Sequence, residues 1–117
     1  MAWPPLSVAP LEALCTALAA AGLPAAQDPA DVNPPGAWVN LEGITTAVAL
    51  DGTHQLRAAV WLVVPDTDHH RALEALAAAY SQLLTVLTPD GEVTTEGLVL
   101  PDNPTPLPAL RVPVNLT

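Results

Sequence analysis

The chain contains no lysine and no phenylalanine, and it has a single cysteine. Three arginines stand against 12 acidic residues, which gives a formal net charge of −9 at pH 7. Nucleic-acid binding needs lysine and arginine to neutralise phosphates, and anionic membranes attract basic surfaces. The composition therefore argues against both kinds of partner. The lone Cys15 excludes a disulfide within the chain.

Long apolar runs and targeting signals are also missing. No stretch reaches the roughly 18 apolar residues that a membrane-spanning helix needs. Residues 1–23 lack the basic start of a secretory signal, and Glu12 and Thr16 interrupt their apolar stretch. We therefore expect a soluble, intracellular protein. A chain of 117 residues predicts a single domain over residues 1–117, in which residues 1–6 form an extended arm.

The clearest pattern is a strand that leads directly into a helix. Residues 54–64 form the best strand candidate, and its predicted apolar face comprises Leu56, Ala58, Val60, Leu62 and Val64. Residues 65–68 break the alternation and offer side-chain oxygens to cap a helix, which begins at His69 and is ended by Pro89-Asp90-Gly91. The predicted buried stripe of this helix comprises Leu73, Leu76, Ala77, Tyr80, Leu83, Leu84 and Leu87.

Further elements surround this pair. They are a helix over Ser7–Ala21 ended by Gly22, strands over Ala37–Leu41, Ile44–Leu50, Val93–Leu100 and Leu110–Leu116, and loops over residues 25–36 and 102–106. Glu42-Gly43 predicts a turn, and Asp51-Gly52 predicts a hairpin within a three-stranded meander. Pro108 and Pro113 predict that the last strand lies at a sheet edge. The expected fold class is α+β: about five mostly antiparallel strands with two helices on one face, in the order α-β-β-β-α-β-β.

Few residues suggest chemistry. Asp66, Asp68, His69 and His70 lie together, but adjacent histidines on a helix diverge by about 100°, and acidic residues at a helix start complement its dipole. We interpret this segment as a helix N-terminus. Cys15 lies on an apolar stripe, where a thiol behaves as a small hydrophobe. Because phosphate-loop, nucleophile-elbow and CxxC motifs are missing, we expect no catalytic residue, no metal, no cofactor and no enzymatic activity.

Strand alternation also defines the sheet face turned away from the helices. If Leu56, Val60 and Leu62 face the helices, the opposite face carries Arg57, Ala59, Trp61 and Val63, together with Trp38, Asn40, Thr45, Ala47, Ala49, Ala109 and Arg111. A face in water would carry more charge, whereas tryptophan and arginine are favoured at protein interfaces. We predict a subunit interface at Trp38, Arg57, Trp61 and Arg111. A one-residue error in strand parity would exchange the two faces.

Residues 23–40, LPAAQDPADVNPPGAWVN, join a helix end to a strand through an Asp-Pro and Asn-Pro-Pro loop. In this motif, in length and in element order, the chain resembles small tail proteins of long-tailed (siphovirus-type) actinobacteriophages, and the tail terminator family in particular. The resemblance implies an α/β virion protein that is assembled in the host cytoplasm as a homohexameric ring. It implies a tail tube protein, which the ring caps, and a head–tail stopper or connector protein as further partners.

Two other interpretations stay open. Another head–tail joining component, such as a head-completion or stopper protein, would share the lack of chemistry and differ in its position and partner. A small enzyme or ligand-binding domain would use the region around His69 and His70. That interpretation requires a concave pocket with convergent polar groups.

Overall fold

The computed structural model describes residues 8–46, 54–101 and 103–116, and two helices pack on one face of a five-stranded sheet. The elements are α1 (Ala9–Ala20), β1 (Ala25–Ala26), β2 (Gly36–Thr46), β3 (His54–Val63), α2 (His69–Leu83), β4 (Thr94–Leu100) and β5 (Asn103–Leu116). The sheet order is β1-β2-β3-β5-β4, with β1 parallel to β2 and the other neighbours antiparallel. The α+β class is confirmed. The predicted arm, the Asp51-Gly52 turn, Ala47 and Ala49 lie outside the described residues.

The end of α1 directs the chain back under the sheet. The Leu23 amide donates to the Leu18 carbonyl at 2.8 Å, and the Gly22 amide donates to the Ala19 carbonyl at 3.1 Å. This double hydrogen bond is a Schellman motif, and Gly22 supplies the positive φ, 95°, that the motif requires. Leu18 and Leu23 are both buried in the main core as a result. The predicted helix stop at Gly22 is confirmed.

The strand β2 is continuous, so the predicted turn at Glu42-Gly43 is wrong. The predicted strand Ala37–Leu41 and the described part of the predicted strand Ile44–Leu50, residues 44–46, belong to one strand of 11 residues. Its register against β3 shifts at Glu42. A β-bulge inserts one residue without ending the pairing, and its sequence resembles that of a turn. Because Thr46 pairs with His54, β2 and β3 form a two-stranded hairpin in place of the predicted three-stranded meander.

The first strand of the sheet lies inside the predicted loop over residues 25–36. Ala25 and Ala26 pair with Ala37 and Trp38, and a short 3₁₀ turn over Pro29–Asp31 follows. The predicted element order α-β-β-β-α-β-β therefore agrees with the structure, although β1 replaces one of the three strands predicted before α2.

The helix α2 begins where predicted but turns a different side to the sheet. The Arg71 amide donates to Asp68 Oδ1 at 2.9 Å, which caps the helix start. Leu76, Tyr80, Leu83 and Leu87 pack in the core as predicted, whereas Leu73 and Leu84 are 45% and 47% exposed and Ala77 is also exposed. Ala72, Ala75 and Ala79 take their places, because small side chains let the helix lie close to the sheet. The helix ends at Leu83, well before Pro89.

The strand β5 is an interior strand, so its predicted place at a sheet edge is wrong. It lies between β3 and β4 and begins at Asn103, within the predicted loop. The Pro113 carbonyl accepts from the Asp90 amide, and the Pro108 carbonyl accepts from the Val64 amide. Because the nitrogen and oxygen of a strand residue point to the same side, each proline nitrogen faces a position just beyond the neighbouring strand. Neither nitrogen is needed as a donor there.

The helix side of the sheet forms the main core, and the predicted strand parity is confirmed. The largest fully buried side chains include Leu18, Leu56, Leu62, Leu83, Val60 and Val112. Trp61 and Val63 belong to a separate cluster on the opposite side of the sheet, and Arg57 and Ala59 share their parity in β3. Leu56, Val60 and Leu62 therefore face the helices, as the alternation in sequence predicts.

Candidate functional site: the outer face of the sheet

The face turned away from the helices, called the outer face below, carries all four predicted interface residues. Trp38, Trp61 and Arg111 form one row across β2, β3 and β5, since Trp61 pairs with each of the other two residues. Arg57 lies nearer the start of β3, opposite Gly43 on one side. Three of the four residues are thus adjacent, and the fourth lies on the same surface.

The two tryptophans form a tilted pair at the centre of this row. Their ring centroids are 6.0 Å apart, with an angle of 32° between the ring planes, which is within the range of favourable aromatic contacts. Both residues are half-buried. Trp38 Nε1 donates to the Gln27 carbonyl at 2.9 Å, whereas Trp61 Nε1 is buried and makes no hydrogen bond to the described chain. An unpaired buried donor costs about 1–3 kcal/mol, so packing alone holds the Trp61 ring.

Part of the outer face is covered by the segment between β1 and β2. Val32 packs over it, and Val63 and Ala109 beneath are each 1% exposed. This second cluster comprises Val32, Val63, Leu98, Leu100, Leu107 and Ala109, with Ala26, Trp38 and Trp61 at its margin. The cluster was not predicted, and its only sign in the sequence is an apolar valine within a polar, proline-rich segment. The tryptophans therefore lie on the border between the covered and the open part of the face.

Arg111 is held by Glu42, the bulge residue of β2. The guanidinium donates through Nε to Oε2 at 3.2 Å and through its terminal nitrogen to Oε1, in a bidentate pair. The two side chains are 28% and 27% exposed, so the pair is partly shielded from water. It spans β3, where Ala59 is fully buried and its short side chain leaves room. Glu42 was predicted as a turn residue, and its role here was therefore missed.

Arg57 differs from the other two arginines in having no ion-pair partner among the described residues. Arg111 pairs with Glu42, and Arg71 Nε lies 3.3 Å from Asp68 Oδ2, but Arg57 forms no ion pair within the described part of the chain. It is exposed and borders a cavity of about 90 Å³ that Glu42 and Arg111 also line. The Arg57 guanidinium is therefore available to pair with a carboxylate of a partner protein.

The segment from Asp66 to His70 is a helix start. Asp68 caps α2, and His70 Nε2 lies 2.6 Å from Glu74 Oε1 one turn along the helix. Both histidines are exposed. Over residues 8–46, 54–101 and 103–116, no three His, Cys, Asp or Glu side chains are grouped closely enough to hold a metal ion.

Cys15 packs against the main core and is half-buried. Burial raises the pKa of its thiol, and the nearby charge of Glu12 raises that pKa further. Both effects disfavour the thiolate, which is the nucleophilic form. A separate finding concerns membranes: no helix in the described ranges is long and apolar enough to cross one.

Comparison of the chain with known proteins identifies no relative. No family model, no curated protein and no solved structure matches it. Function is therefore inferred from the outer face and from the resemblance carried by residues 23–40.

Proposed function

We propose that this protein is a structural subunit that assembles through its outer face, as the tail terminator of a long-tailed phage. The observation that carries the proposal is the half-exposed pair of Trp38 and Trp61, flanked by Arg111 and the unpaired Arg57. A sheet face in contact with water usually carries polar and charged side chains. Tryptophan and arginine are instead the side chains that contribute most at the centres of protein interfaces.

Charge supports the same role. DNA passes through the ring that the resemblance implies, and a subunit with a formal net charge of −9 repels the phosphate backbone rather than holding it. Such subunits also repel one another, so their contacts need cations. Arg57 and Arg111 are two of only three cationic residues other than histidine, and both lie on the surface proposed for contact.

Native mass spectrometry of the purified protein, with and without the tail tube protein, tests the assembly. We expect a closed ring, which the resemblance makes a hexamer, at least on the end of a tube. The double variant Trp38→Ala and Trp61→Ala should lose this assembly, and Leu84→Ala, at the exposed C-cap position of α2, should retain it. A strict monomer that ignores tubes in both conditions would reject the proposal.

Deletion of the gene in its phage separates a terminator from the other joining proteins of the neck. A terminator stops tube growth, so its loss should produce tails of excessive and irregular length that are not joined to filled heads. Tails of normal length that fail to attach would instead indicate a head-completion or stopper protein.

A further inference from the structure

The strand β4 lies at one edge of the sheet, and part of its backbone has no hydrogen-bond partner among residues 8–46, 54–101 and 103–116. The Pro108 carbonyl points towards β3, where it accepts from the Val64 amide. Successive residues of a strand direct their backbone hydrogen-bonding groups to opposite sides, so those of Ala109 point to β4, where Ala109 pairs with Glu96. Thr95 and Gly97, the residues on either side of Glu96, therefore direct their amides and carbonyls away from the sheet. Nothing in the described chain hydrogen-bonds to these outward groups.

This edge carries few of the features that usually prevent strand addition: Glu96 and a register shift between Leu98 and Leu100 are present, whereas proline and lysine are not. Free edges are commonly blocked by proline, by lysine or by a very short strand. β4 has seven residues and contains neither proline nor lysine. Thr95, Gly97 and Val99 alternate along it and are exposed, Val99 at 56%.

A cleft lies beside the same edge. It has a volume of about 310 Å³ and is bounded by α2 on one side and by β4 and β5 on the other. Its lining includes Ala72, Leu73 and Leu76 from α2, and Thr95 and Pro108 from the sheet. Leu73 lines this cleft and is 45% exposed, so the cleft offers apolar surface to a ligand. An unpaired strand edge next to an apolar cleft suits an extended peptide, whose backbone pairs with the edge while an alternate side chain enters the cleft.

The charge around the cleft determines which kind of peptide it favours. Asp66 and Glu96 line it together with His69, and Arg71, two residues further along α2, is already paired with Asp68. A second copy of β4 would bring the same carboxylates, and like charges facing each other oppose association. We propose that β4 and the α2 cleft bind an extended segment of a partner protein in which apolar and cationic side chains alternate. This surface adjoins the outer face at Glu96 and Ala109 but does not include the tryptophan row, and the inference does not depend on ring assembly.

The direct test uses a capped peptide of about eight residues, in which valine alternates with arginine, titrated against the full chain. We expect saturable binding with a dissociation constant below ~1 mM that weakens as salt is added. The same peptide with glutamate in place of arginine should not bind. A version N-methylated at alternate amides should also fail, because it cannot pair with the edge. Absence of saturable binding by the basic peptide, or equal binding by its N-methylated form, would overturn the proposal.

Two pairs of protein variants locate the site. Thr95→Pro removes an outward amide without removing a bond to β5, and should weaken binding by about three- to tenfold, whereas Thr95→Ala keeps the amide and should weaken binding less than Thr95→Pro does. Leu73→Ala should weaken binding by a similar ~3- to 10-fold, and Leu84→Ala, equally exposed on the same helix, should have no effect.

Thermal melts show whether each variant is folded. If Thr95→Pro does not fold, the leucine pair and the N-methylated peptide still decide the question. Equal losses in Leu73→Ala and Leu84→Ala would contradict the assigned cleft. Trp61→Ala should leave peptide binding unchanged, which separates this site from the proposed ring contact.

Discussion

On the helix side of the sheet, Leu56, Val60 and Leu62 are at most 2% exposed and lie beneath both helices. On the outer face of the same strand, Arg57 is exposed and Trp61 is only half-buried. A strand covered fully on both sides would be apolar at nearly every position, as are the central strands of sheets that have helices on both faces. The polar and aromatic residues of β3 therefore mark a face that the subunit covers only in part.

The two faces also differ in what holds them together. The helix side is stabilised by burial of aliphatic surface, which depends little on direction. The outer face depends on specific contacts: the tilted tryptophan pair, the Trp38–Gln27 hydrogen bond and the Glu42–Arg111 ion pair. We infer that the helix side determines the stability of the subunit, and that the outer face contributes chiefly when a neighbour covers it.

The largest effect is expected on the helix side. Leu62 is fully buried, and Leu62→Ala should lower the free energy of unfolding by about 2–5 kcal/mol, through lost burial and the cavity left behind. Urea denaturation of the purified subunit measures the change. Leu84→Ala is the matched control, since 47% exposure limits its expected loss to about 0.5 kcal/mol. Similar losses in both variants would contradict the assignment of the core.

The second effect separates the faces at Trp61. Trp61→Ala should destabilise the isolated subunit less than Leu62→Ala does, because the ring is half-buried and its indole N–H is already unpaired. Its main penalty should appear in assembly, where truncation of an aromatic anchor commonly costs about 2 kcal/mol or more. Thermal melts alongside a ring-formation assay measure both quantities. If Trp61→Ala unfolds the subunit as badly as Leu62→Ala, the outer face is core rather than interface.

The parity of β3 could be predicted from the sequence because Gln55 and Arg57 alternate with Leu56 and Ala58, and this places both polar residues on one face, although residues 58–64 are apolar throughout. The buried stripe of α2 could not, since an alanine- and leucine-rich helix offers more than one apolar side. There the choice between Leu73 and Ala72 depends on how close the helix lies to the sheet. The Gly22 and Asp68 helix ends were predictable because each uses local hydrogen bonds.

The errors on the outer face have a long-range origin. The position of β5 between two strands is decided by pairing partners that are distant in sequence, and local propensity treats its prolines only as breakers. The bulge at Glu42 resembles a turn until its partner Arg111 is known. The cover supplied by Val32 likewise depends on the path of a loop. Strand parity nevertheless placed the predicted interface residues on one face. The register of β2, β3 and β5 then brings three of the four into one row.

A smaller effect tests whether the ion pair fixes the outer face. In a double-mutant cycle with Glu42→Gln and Arg111→Met, the coupling free energy should be about 0.5–1 kcal/mol, since the pair is bidentate but not fully buried. Partial shielding predicts that this coupling falls only moderately at about 1 M salt. Denaturation of the wild type, both single variants and the double variant supplies the four free energies. A coupling near zero would mean that the tryptophan row, rather than the ion pair, holds β2 and β5 in place.

The smallest effect is expected at the start of α2, which belongs to neither face. His69 and His70 are both exposed, and His70 lies against Glu74 on the surface. Replacing both histidines with glutamine should therefore change the free energy of unfolding by less than about 0.5 kcal/mol. Ring formation should also be unchanged. Asp68→Ala in the same turn is the contrasting control, because it removes the cap on the Arg71 amide and should cost about 1 kcal/mol. Thermal melts and metal analysis of the purified variants measure these outcomes. Loss of a stoichiometric bound metal in the glutamine variant would show that the histidines form a ligand site and that the segment is more than a helix start.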